Sequence, residues 1–211
     1  MSKVIHVDQE NPSAEAINLA ATVLRKGGIV VFPTETVYGI GASADSCIGP
    51  QEIIDIKMRS AHKPLPWLVE DDKALDTYGI EVPDYAHRLA EAFWPGALSI
   101  VVKASKRVSK DFTDERGTVA LRCPDHEIVR ELILASGGPI IATSANTSGN
   151  PAASAFEELE PRIIAAADLT LDGGETLHGI ASTVVDCTGA LPEILREGAV
   201  ATEDVMRVAA A

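Results

Sequence analysis

Along the chain, stretches with hydrophobic residues at helical spacing alternate with short, continuously hydrophobic runs, and this alternation predicts helices followed by strands. Ser13 precedes residues 17, 20, 21 and 24, which are apolar at helical spacing, and Gly27-Gly28 follows them. This pattern predicts a helix with Ser13 as its N-cap and the glycines at its end. Ile29 to Phe32 is a short apolar run rich in β-branched residues that ends at Pro33. Such a run is typical of a strand buried on both faces.

The same patterns continue through the rest of the chain. They predict further helices over 50–58, 85–93, 128–135 and from about 202, and strands at 65–69, 97–102, 118–121, 140–142, 169–171, 183–186 and 193–195. Residues 156–167 are helical in pattern, but Pro161 interrupts them, so they form a kinked helix or two short helices. Since no linker, repeat or shift in composition divides the chain, we expect one α/β domain with a mixed sheet over residues 1–211.

Composition and charge narrow the class of protein. The chain has 211 residues, of which 46% are hydrophobic and 23% charged, a balance that excludes a disordered chain and supplies a sizeable core. Its 18 Lys and Arg residues against 31 Asp and Glu residues give a formal net charge of −13. A strongly acidic protein is poorly suited to hold a phosphate backbone non-specifically. We therefore expect no tight direct binding of nucleic acid.

The first residues and the cysteines bear on the compartment. The N-terminal sequence lacks the features of a signal peptide, and no apolar run approaches the roughly 18 residues that span a bilayer. The three cysteines, Cys47, Cys123 and Cys187, are scattered and form no CxxC, which is typical of buried thiols in a reducing compartment. These features predict a cytoplasmic protein with no membrane partner.

Polar stretches that adjoin predicted strands are candidate ligand-binding loops. There are four such stretches, at 33–41, 143–149, 179–183 and 195–198. Ser, Thr, Asn and Gly are common in ordinary turns, so each stretch alone has a purely structural explanation. Four together favour a ligand, because open α/β sheets bind ligands at the ends of their strands and these residues suit phosphates and carboxylates.

The few basic residues are more informative. Lys57, Arg59 and Lys63 lie within seven residues, and Arg122 and Arg196 each follow a predicted strand. Polyphosphate and carboxylate ligands need such groups, and arginine adds bidentate geometry. The Lys57–Lys63 group alone could equally be a solvated surface cluster. We expect all five cations to converge on one positive cavity.

Several common catalytic motifs are absent. The sequence contains no GxxxxGK[ST], no HExxH and no GxSxG, so a P-loop enzyme, a zinc protease and a serine hydrolase of the α/β type are not supported. Gly39-Ile40-Gly41 is a lone GxG without the third glycine of a dinucleotide site.

Seven motifs along the chain carry a resemblance to a known family. They are PTETVYGIGA from Pro33, KMR from Lys57, FWPGALS from Phe93, GTVALR from Gly117, SANTSG from Ser144, ASTVVD from Ala181 and LREG from Leu195. In order and spacing, over about residues 13–205, they resemble the YrdC-like family of L-threonylcarbamoyladenylate synthases in its short, single-domain form. The resemblance implies a twisted sheet of parallel and antiparallel strands, flanked by helices, with a concave ligand-binding face.

The resemblance also implies a reaction. Such nucleotidyltransferases convert ATP, L-threonine and bicarbonate to threonylcarbamoyl-AMP and pyrophosphate, with Mg²⁺ carried by ATP rather than by dedicated protein ligands. A downstream tRNA threonylcarbamoyl transferase complex then modifies the adenosine beside the anticodon. Two alternatives stay open: a YrdC-like RNA-binding or ribosome-assembly module, and a paralogue that uses another carbamoyl or acyl acceptor.

Particular residues match functional positions of that family. The resemblance implies Lys57 and Arg59 as catalytic residues; Arg59, Lys63, Thr118, Ser144, Asn146 and Arg196 as ATP-binding residues; and Thr34, Thr36, Arg122 and Ser182 as L-threonine-binding residues. Leu68 departs from the pattern, because some relatives carry there a histidine that helps to hold threonine. We therefore expect recognition of the amino acid to rest on other groups in this chain.

Overall fold

A mixed sheet of ten strands forms the centre of the protein over residues 3–46, 50–58 and 65–211, which the computed structural model describes. The strands are β1 (Lys3–His6), β2 (Val30–Phe32), β3 (Gly39–Ser43), β4 (Trp67–Leu68), β5 (Leu98–Lys103), β6 (Thr118–Arg122), β7 (Ile140–Ser144), β8 (Leu169–Asp172), β9 (Thr183–Asp186) and β10 (Glu193–Arg196). Their order is β1-β8-β2-β3-β7-β4-β6-β5-β9-β10, with parallel and antiparallel pairs. The predicted mixed α/β sheet is confirmed.

Seven helices flank this sheet in the same described ranges. They are α1 (Ala14–Arg25), α2 (Gln51–Lys57), α3 (Ala74–Tyr78), α4 (Asp84–Phe93), α5 (Glu127–Ser136), α6 (Pro161–Ala166) and α7 (Thr202–Ala209). The Oγ of Ser13 accepts a hydrogen bond from the N–H of Ala16 at 3.3 Å, so the predicted N-cap is confirmed. Pro161 opens α6 after a separate 3₁₀ turn at Phe156–Glu158, so two short helices form. None of these helices is long and apolar enough to cross a bilayer.

The two faces of the sheet bury different apolar clusters. On one face, α1 and α5 pack against side chains of β2, β4, β7 and β8, including Phe32, Leu68 and Ala142. On the other face, side chains of α2, α3, α4, α6 and α7 pack with alternate residues of the strands. The cluster under α1 and α5 contains no residue of β5, β6 or β9 from the described chain. Helical cover of this face therefore stops part of the way across the sheet.

Three of these strands and α-helices were not predicted. Gly39 to Gly41 was expected in a ligand loop, but the structure places these residues in β3, paired with β2 and β7. The glycines permit close approach rather than a turn: a Cβ on Gly41 would lie 2.6 Å from the carbonyl oxygen of Ile141. The other two, β1 and α3, have four and five residues, too few for a clear periodic signal.

The described cysteines are buried thiols, as expected. Cys123 and Cys187 are free and buried, and burial raises the pKa of their thiols to about 11 and about 12. Cys47 lies outside the described residues. A thiol with so high a pKa is rarely ionised at neutral pH and is therefore a poor nucleophile.

We predict that Gly41→Ala destabilises the protein by about 1–3 kcal/mol, because the new Cβ must displace the backbone of β7. Gly189→Ala is the matched control, since its Cβ would meet only the carbonyl oxygen of Leu191 at 3.5 Å. It should change the free energy of unfolding by no more than about 0.5 kcal/mol. Urea denaturation measures both, and equal stabilities of the two variants would contradict the close packing of β3 on β7.

Candidate active site

A cavity opens on the face of the sheet that carries α1 and α5, where their cover ends. Six of the predicted site residues line it: Thr34, Thr36, Arg122, Ser144, Ser182 and Arg196. They come from the loop after β2, from the ends of β6, β7 and β10, and from the residue before β9. Five separate regions of the sequence are thus brought together, as the motifs predicted.

One wall of the cavity is apolar. Phe32, Leu68 and Ala142 line it and belong to the cluster under α1 and α5. Leu68 stands where some relatives carry a histidine, and β4 therefore presents an apolar side chain here. This part of the cavity wall is therefore hydrocarbon.

A buried ion pair fixes Arg122 at the edge of the cavity. Its Nη2 donates to the Glu35 carboxylate at 2.6 Å, and the two side chains are only 7% and 2% exposed. The same nitrogen donates to Thr36 Oγ1 at 3.1 Å, and Nε donates to the carbonyl oxygen of Gly96 at 3.1 Å. Glu35 Oε1 also accepts from the N–H of Asp125 at 3.1 Å. Breaking such a buried pair costs about 3–5 kcal/mol, so the guanidinium is held firmly.

The loop after β2 is shaped by its own threonines. Thr34 Oγ1 donates to the carbonyl oxygen of Val37 at 2.7 Å and accepts from the N–H groups of Thr36 and Val37 at 3.1 and 3.2 Å. Thr34 Oγ1 also lies 2.8 Å from Thr36 Oγ1. Thr34 therefore holds the turn, while Thr36 presents its hydroxyl between Thr34 and Arg122.

The segment before β9 anchors this loop from outside. Thr176 Oγ1 donates to the carbonyl oxygen of Thr36 at 3.0 Å. The N–H of His178 donates to the backbone carbonyl oxygen of Glu35 at 2.8 Å. Tyr38 bonds the same segment through its hydroxyl, which donates to the carbonyl oxygen of Gly174 at 2.9 Å. Burial raises the pKa of this hydroxyl to about 12, so it stays a donor. The loop is therefore braced on both sides.

Arg196 and two serines form the opposite wall. Arg196 donates to the Ser182 carbonyl oxygen from Nε at 3.1 Å and from Nη2 at 2.7 Å, and to Ser182 Oγ at 3.1 Å. Ser182 Oγ lies 3.0 Å from Ser99 Oγ. Burial lowers the pKa of Arg196, and the positive charge of Arg122 lowers it further. The two guanidinium groups therefore repel each other. An anion between them relieves that repulsion.

Lys57 was expected to hold the triphosphate, and the structure gives its ammonium a different position. The group is buried, with 3% of the residue exposed, and Lys57 is not among the described residues that line the cavity. It donates to the carbonyl oxygens of Ser144 and Asn146, the latter at 2.8 Å, and to Asn146 Oδ1 at 3.0 Å. Lys57 thus supports the Ser144–Asn146 loop from behind.

The rest of that loop is also held by hydrogen bonds. Asn146 Nδ2 donates to the carbonyl oxygens of Thr147 and Asn150 at 3.0 and 2.7 Å. Glu160 accepts from the N–H and the hydroxyl of Thr147 at 2.7 and 2.5 Å. These bonds lower the pKa of the Glu160 carboxyl to about 2, so the carboxylate persists at any physiological pH. Ser144 and Asn146 are the two predicted ATP-binding residues in this loop, and of these Ser144 lines the cavity whereas Asn146 does not.

Besides Lys57 and Asn146, three predicted residues are not brought to the cavity by the described chain. Thr118 pairs with Lys103 at the start of β6, about 13 Å along the strand from Arg122, and is buried there. Its assignment to ATP stays a prediction. Arg59 and Lys63 lie outside the described residues, so their assignments stay predictions too. Of the five cations expected to converge, Arg122 and Arg196 line the cavity, Lys57 lies behind the Ser144–Asn146 loop, and the other two lie outside the described residues.

Three further residues of the site were missed by sequence reasoning. Ser99 lines the cavity, Glu35 pairs with Arg122 and Glu160 holds the Ser144 loop. Ser99 and Glu35 both lie within quoted motifs, so a signal was present without a role attached to it. Glu160 lies outside the quoted motifs, and nothing in the sequence distinguishes it from its acidic neighbours Glu157 and Glu158.

The lining decides which chemistry is available. Its polar groups are hydroxyls, arginines and backbone, and no His, Cys, Asp, Glu or Lys from the described residues is among them. Such a lining binds and orients anionic groups but offers no nucleophile with a low pKa and no general base. The cavity therefore suits reactions that depend on positioning and charge stabilisation.

Comparison with known proteins identifies the family. The Sua5/YciO/YrdC family model, described as Telomere recombination, matches residues 22–198. The threonylcarbamoyl-AMP synthase of Pyrococcus abyssi is 38% identical over 208 residues, which cover 99% of this chain and 61% of that protein. The putative threonylcarbamoyl-AMP synthase of Mycobacterium leprae is 37% identical over 208 residues, covering 99% of this chain and 94% of that one.

Solved structures agree with this assignment. Pyrococcus abyssi Sua5 in complex with L-threonine superposes with a TM-score of 0.88 at 36% identity, covering 98% of this chain and 61% of that one. Escherichia coli YciO gives a TM-score of 0.88 at 29% identity, covering 96% and 98%. The chain thus spans about three-fifths of the Pyrococcus protein and nearly all of YciO. The chain belongs to the Sua5/YciO/YrdC family.

Proposed function

We propose that this chain is an L-threonylcarbamoyladenylate synthase, which converts ATP, L-threonine and bicarbonate to threonylcarbamoyl-AMP and pyrophosphate. The observation that carries the proposal is the cavity in which Arg122 and Arg196 meet the four predicted hydroxyl residues Thr34, Thr36, Ser144 and Ser182. The names of the Pyrococcus and Mycobacterium relatives support the same activity.

Arg122 is the proposed partner of the threonine carboxylate. Two of its guanidinium nitrogens are bonded to Glu35, Thr36 and Gly96, and among the described residues none accepts from the third, Nη1. A carboxylate needs such a donor in fixed orientation. The apolar wall at Leu68 then suits the methyl group of threonine. The Pyrococcus structure with bound L-threonine supports threonine as the amino acid.

ATP is proposed to lie between Ser144 and Arg196, with Arg59, Lys63 and Thr118 as further candidate contacts. Mg²⁺ is proposed to arrive bound to the phosphates of ATP. The described residues contain no group of three His, Cys, Asp or Glu side chains placed to hold a metal ion. The hydroxyls and arginines of the cavity suit phosphate oxygens instead.

The chemistry follows from these positions. The neutral amine of threonine takes up carbon dioxide from bicarbonate, with loss of water, to give a carbamate. A carbamate oxygen then attacks the α-phosphorus of ATP in line, and the bond to the β-phosphate oxygen breaks to release pyrophosphate. Phosphoryl and nucleotidyl displacements depend mainly on alignment and charge stabilisation, which arginines and hydroxyls supply.

The product is proposed to pass to a tRNA threonylcarbamoyl transferase complex in the cytoplasm. The net charge of −13 is compatible with this sequence of events, because the chain need not hold tRNA itself. The same apolar wall at Leu68 also suits a second candidate, a paralogue that uses another carbamoyl or acyl acceptor, such as an amino acid without a hydroxyl group.

We expect the purified protein to release pyrophosphate from ATP, Mg²⁺ and bicarbonate only when L-threonine is present. The measurement compares threonine with serine, valine and no amino acid, and mass spectrometry identifies the adenylate. Release that is equal without any amino acid would contradict the proposal, and release that is faster with valine would support the second candidate.

We predict that Arg196→Ala loses about 2–4 kcal/mol of transition-state stabilisation, an approximately 30- to 1,000-fold fall in kcat/KM for ATP, because it removes a cation beside developing charge. Arg207→Ala is the control, since Arg207 is 71% exposed and pairs with Asp204 on α7. It should leave kcat/KM within about twofold of the unsubstituted protein. Near-normal rates for Arg196→Ala would place the phosphates elsewhere.

We predict that Lys57→Met raises the KM for ATP and lowers the free energy of unfolding by about 1–3 kcal/mol, because it leaves buried oxygens of Ser144 and Asn146 without this donor. Lys106→Met, at an exposed position, is the control. Urea denaturation and steady-state kinetics give the two quantities. Lost activity with unchanged stability would show that Lys57 contacts ATP directly and does not act through the loop.

A further inference from the structure

We propose that Ser99 is a substrate-binding residue which, with Ser182, donates a hydrogen bond to the carboxylate of the amino-acid substrate. This inference rests on the proposed synthase function and adds a second contact to that of Arg122. Ser99 belongs to the motif FWPGALS, and the resemblance implies no role for it.

The position of Ser99 is unusual for its strand. Leu98, Ile100 and Val102 of β5 point into the main apolar core. Ser99 lies on the opposite face, is 1% exposed and lines the cavity. A strand buried in this way favours apolar and β-branched residues, and a serine there gains nothing from packing. The hydroxyl therefore needs a polar explanation.

The register of the sheet puts Ser99 beside Arg122. The antiparallel ladder of β5 and β6 ends with Ile100 paired to Leu121, and extending its register by one position places Ser99 opposite Arg122; both line the cavity. Side chains directly opposite each other in such a ladder lie about 5 Å apart at Cβ. A carboxylate held by Arg122 is thus within reach of the Ser99 hydroxyl.

The direction of the hydrogen bonds leaves one donor for a ligand. A guanidinium can only donate, so Ser182 Oγ accepts from Arg196 Nη2. The hydroxyls of Ser99 and Ser182 share one hydrogen bond at 3.0 Å, which uses one of their two protons. Whichever serine donates in that bond, the other keeps its proton, and among the described residues it has no further acceptor. Both residues line the cavity, so this O–H is available to a ligand.

The chemistry of the neighbourhood favours a carboxylate as the acceptor. Arg122 supplies Nη1 on one side and the serine pair supplies an O–H on the other, which match the two oxygens of one carboxylate. An α-phosphate of ATP has similar acceptors, so the test must separate the two substrates.

The experiment compares Ser99→Ala with Ser99→Thr, which keeps the hydroxyl. Pyrophosphate release gives the KM for L-threonine and for ATP, and competitive inhibition by L-threoninol, which lacks the carboxylate, gives its Ki. Ser99→Ala should raise the KM for threonine about tenfold and leave the KM for ATP and the Ki of threoninol within about twofold. Ser99→Thr should stay within about threefold of the unsubstituted protein.

Ser43→Ala is the matched control, because Ser43 is also a buried strand serine, and its hydroxyl accepts from the N–H of Asp45 at 3.3 Å and from no other described residue. Thermal denaturation checks that each variant folds. A KM for threonine within twofold of normal in Ser99→Ala, or an equal rise in the KM for ATP, would overturn the proposal. If the unsubstituted protein shows no threonine-dependent release, the synthase function itself fails, and the two failures are thus distinguishable.

Discussion

The ion pair between Glu35 and Arg122 is the interaction on which the cavity depends. Both side chains are almost fully buried, so each charge would be costly without the other. The pair joins the loop after β2 to the end of β6, and its hydrogen bonds extend to Thr36, Gly96 and the N–H of Asp125. Three stretches of chain that are distant in sequence are therefore held together by this ion pair and its hydrogen bonds. The same bonds fix the orientation of the Arg122 guanidinium, including its third nitrogen, Nη1.

Uneven helical cover explains why a cavity exists at that point. On the face that carries α1 and α5, the apolar cluster ends at Leu68 and Ala142, and the next residues on this face are Ser99, Arg122 and Ser182. The change from apolar to polar side chains coincides with the change from packed helix to open cavity. Groups mounted on paired strands hold their spacing better than groups on loops, which suits a reaction whose rate depends on alignment.

The sequence predicted the sheet better than the roles of its residues. Runs such as Ile29 to Phe32 carry enough apolar signal to identify a buried strand, but β3 was missed because Gly39 and Gly41 resemble a turn and are needed for close packing instead. The motifs located the arginines and hydroxyls of the cavity. They could not reveal that Lys57 faces carbonyl oxygens, because its burial arises only when α2 packs behind the Ser144 loop.

The composition of the lining also determines which molecule sets the pH dependence of the reaction. Hydroxyls do not titrate in water, and a guanidinium such as Arg196 stays charged even when burial lowers its pKa. The Tyr38 hydroxyl, with a pKa of about 12, also stays neutral. Because hydroxyls and guanidinium groups keep their charge state between acid and mildly alkaline pH, the proposed synthase would take its pH dependence from its substrates: the amino-acid amine, bicarbonate and the phosphates of ATP. A cavity of this kind orients its substrates and leaves the proton chemistry to them.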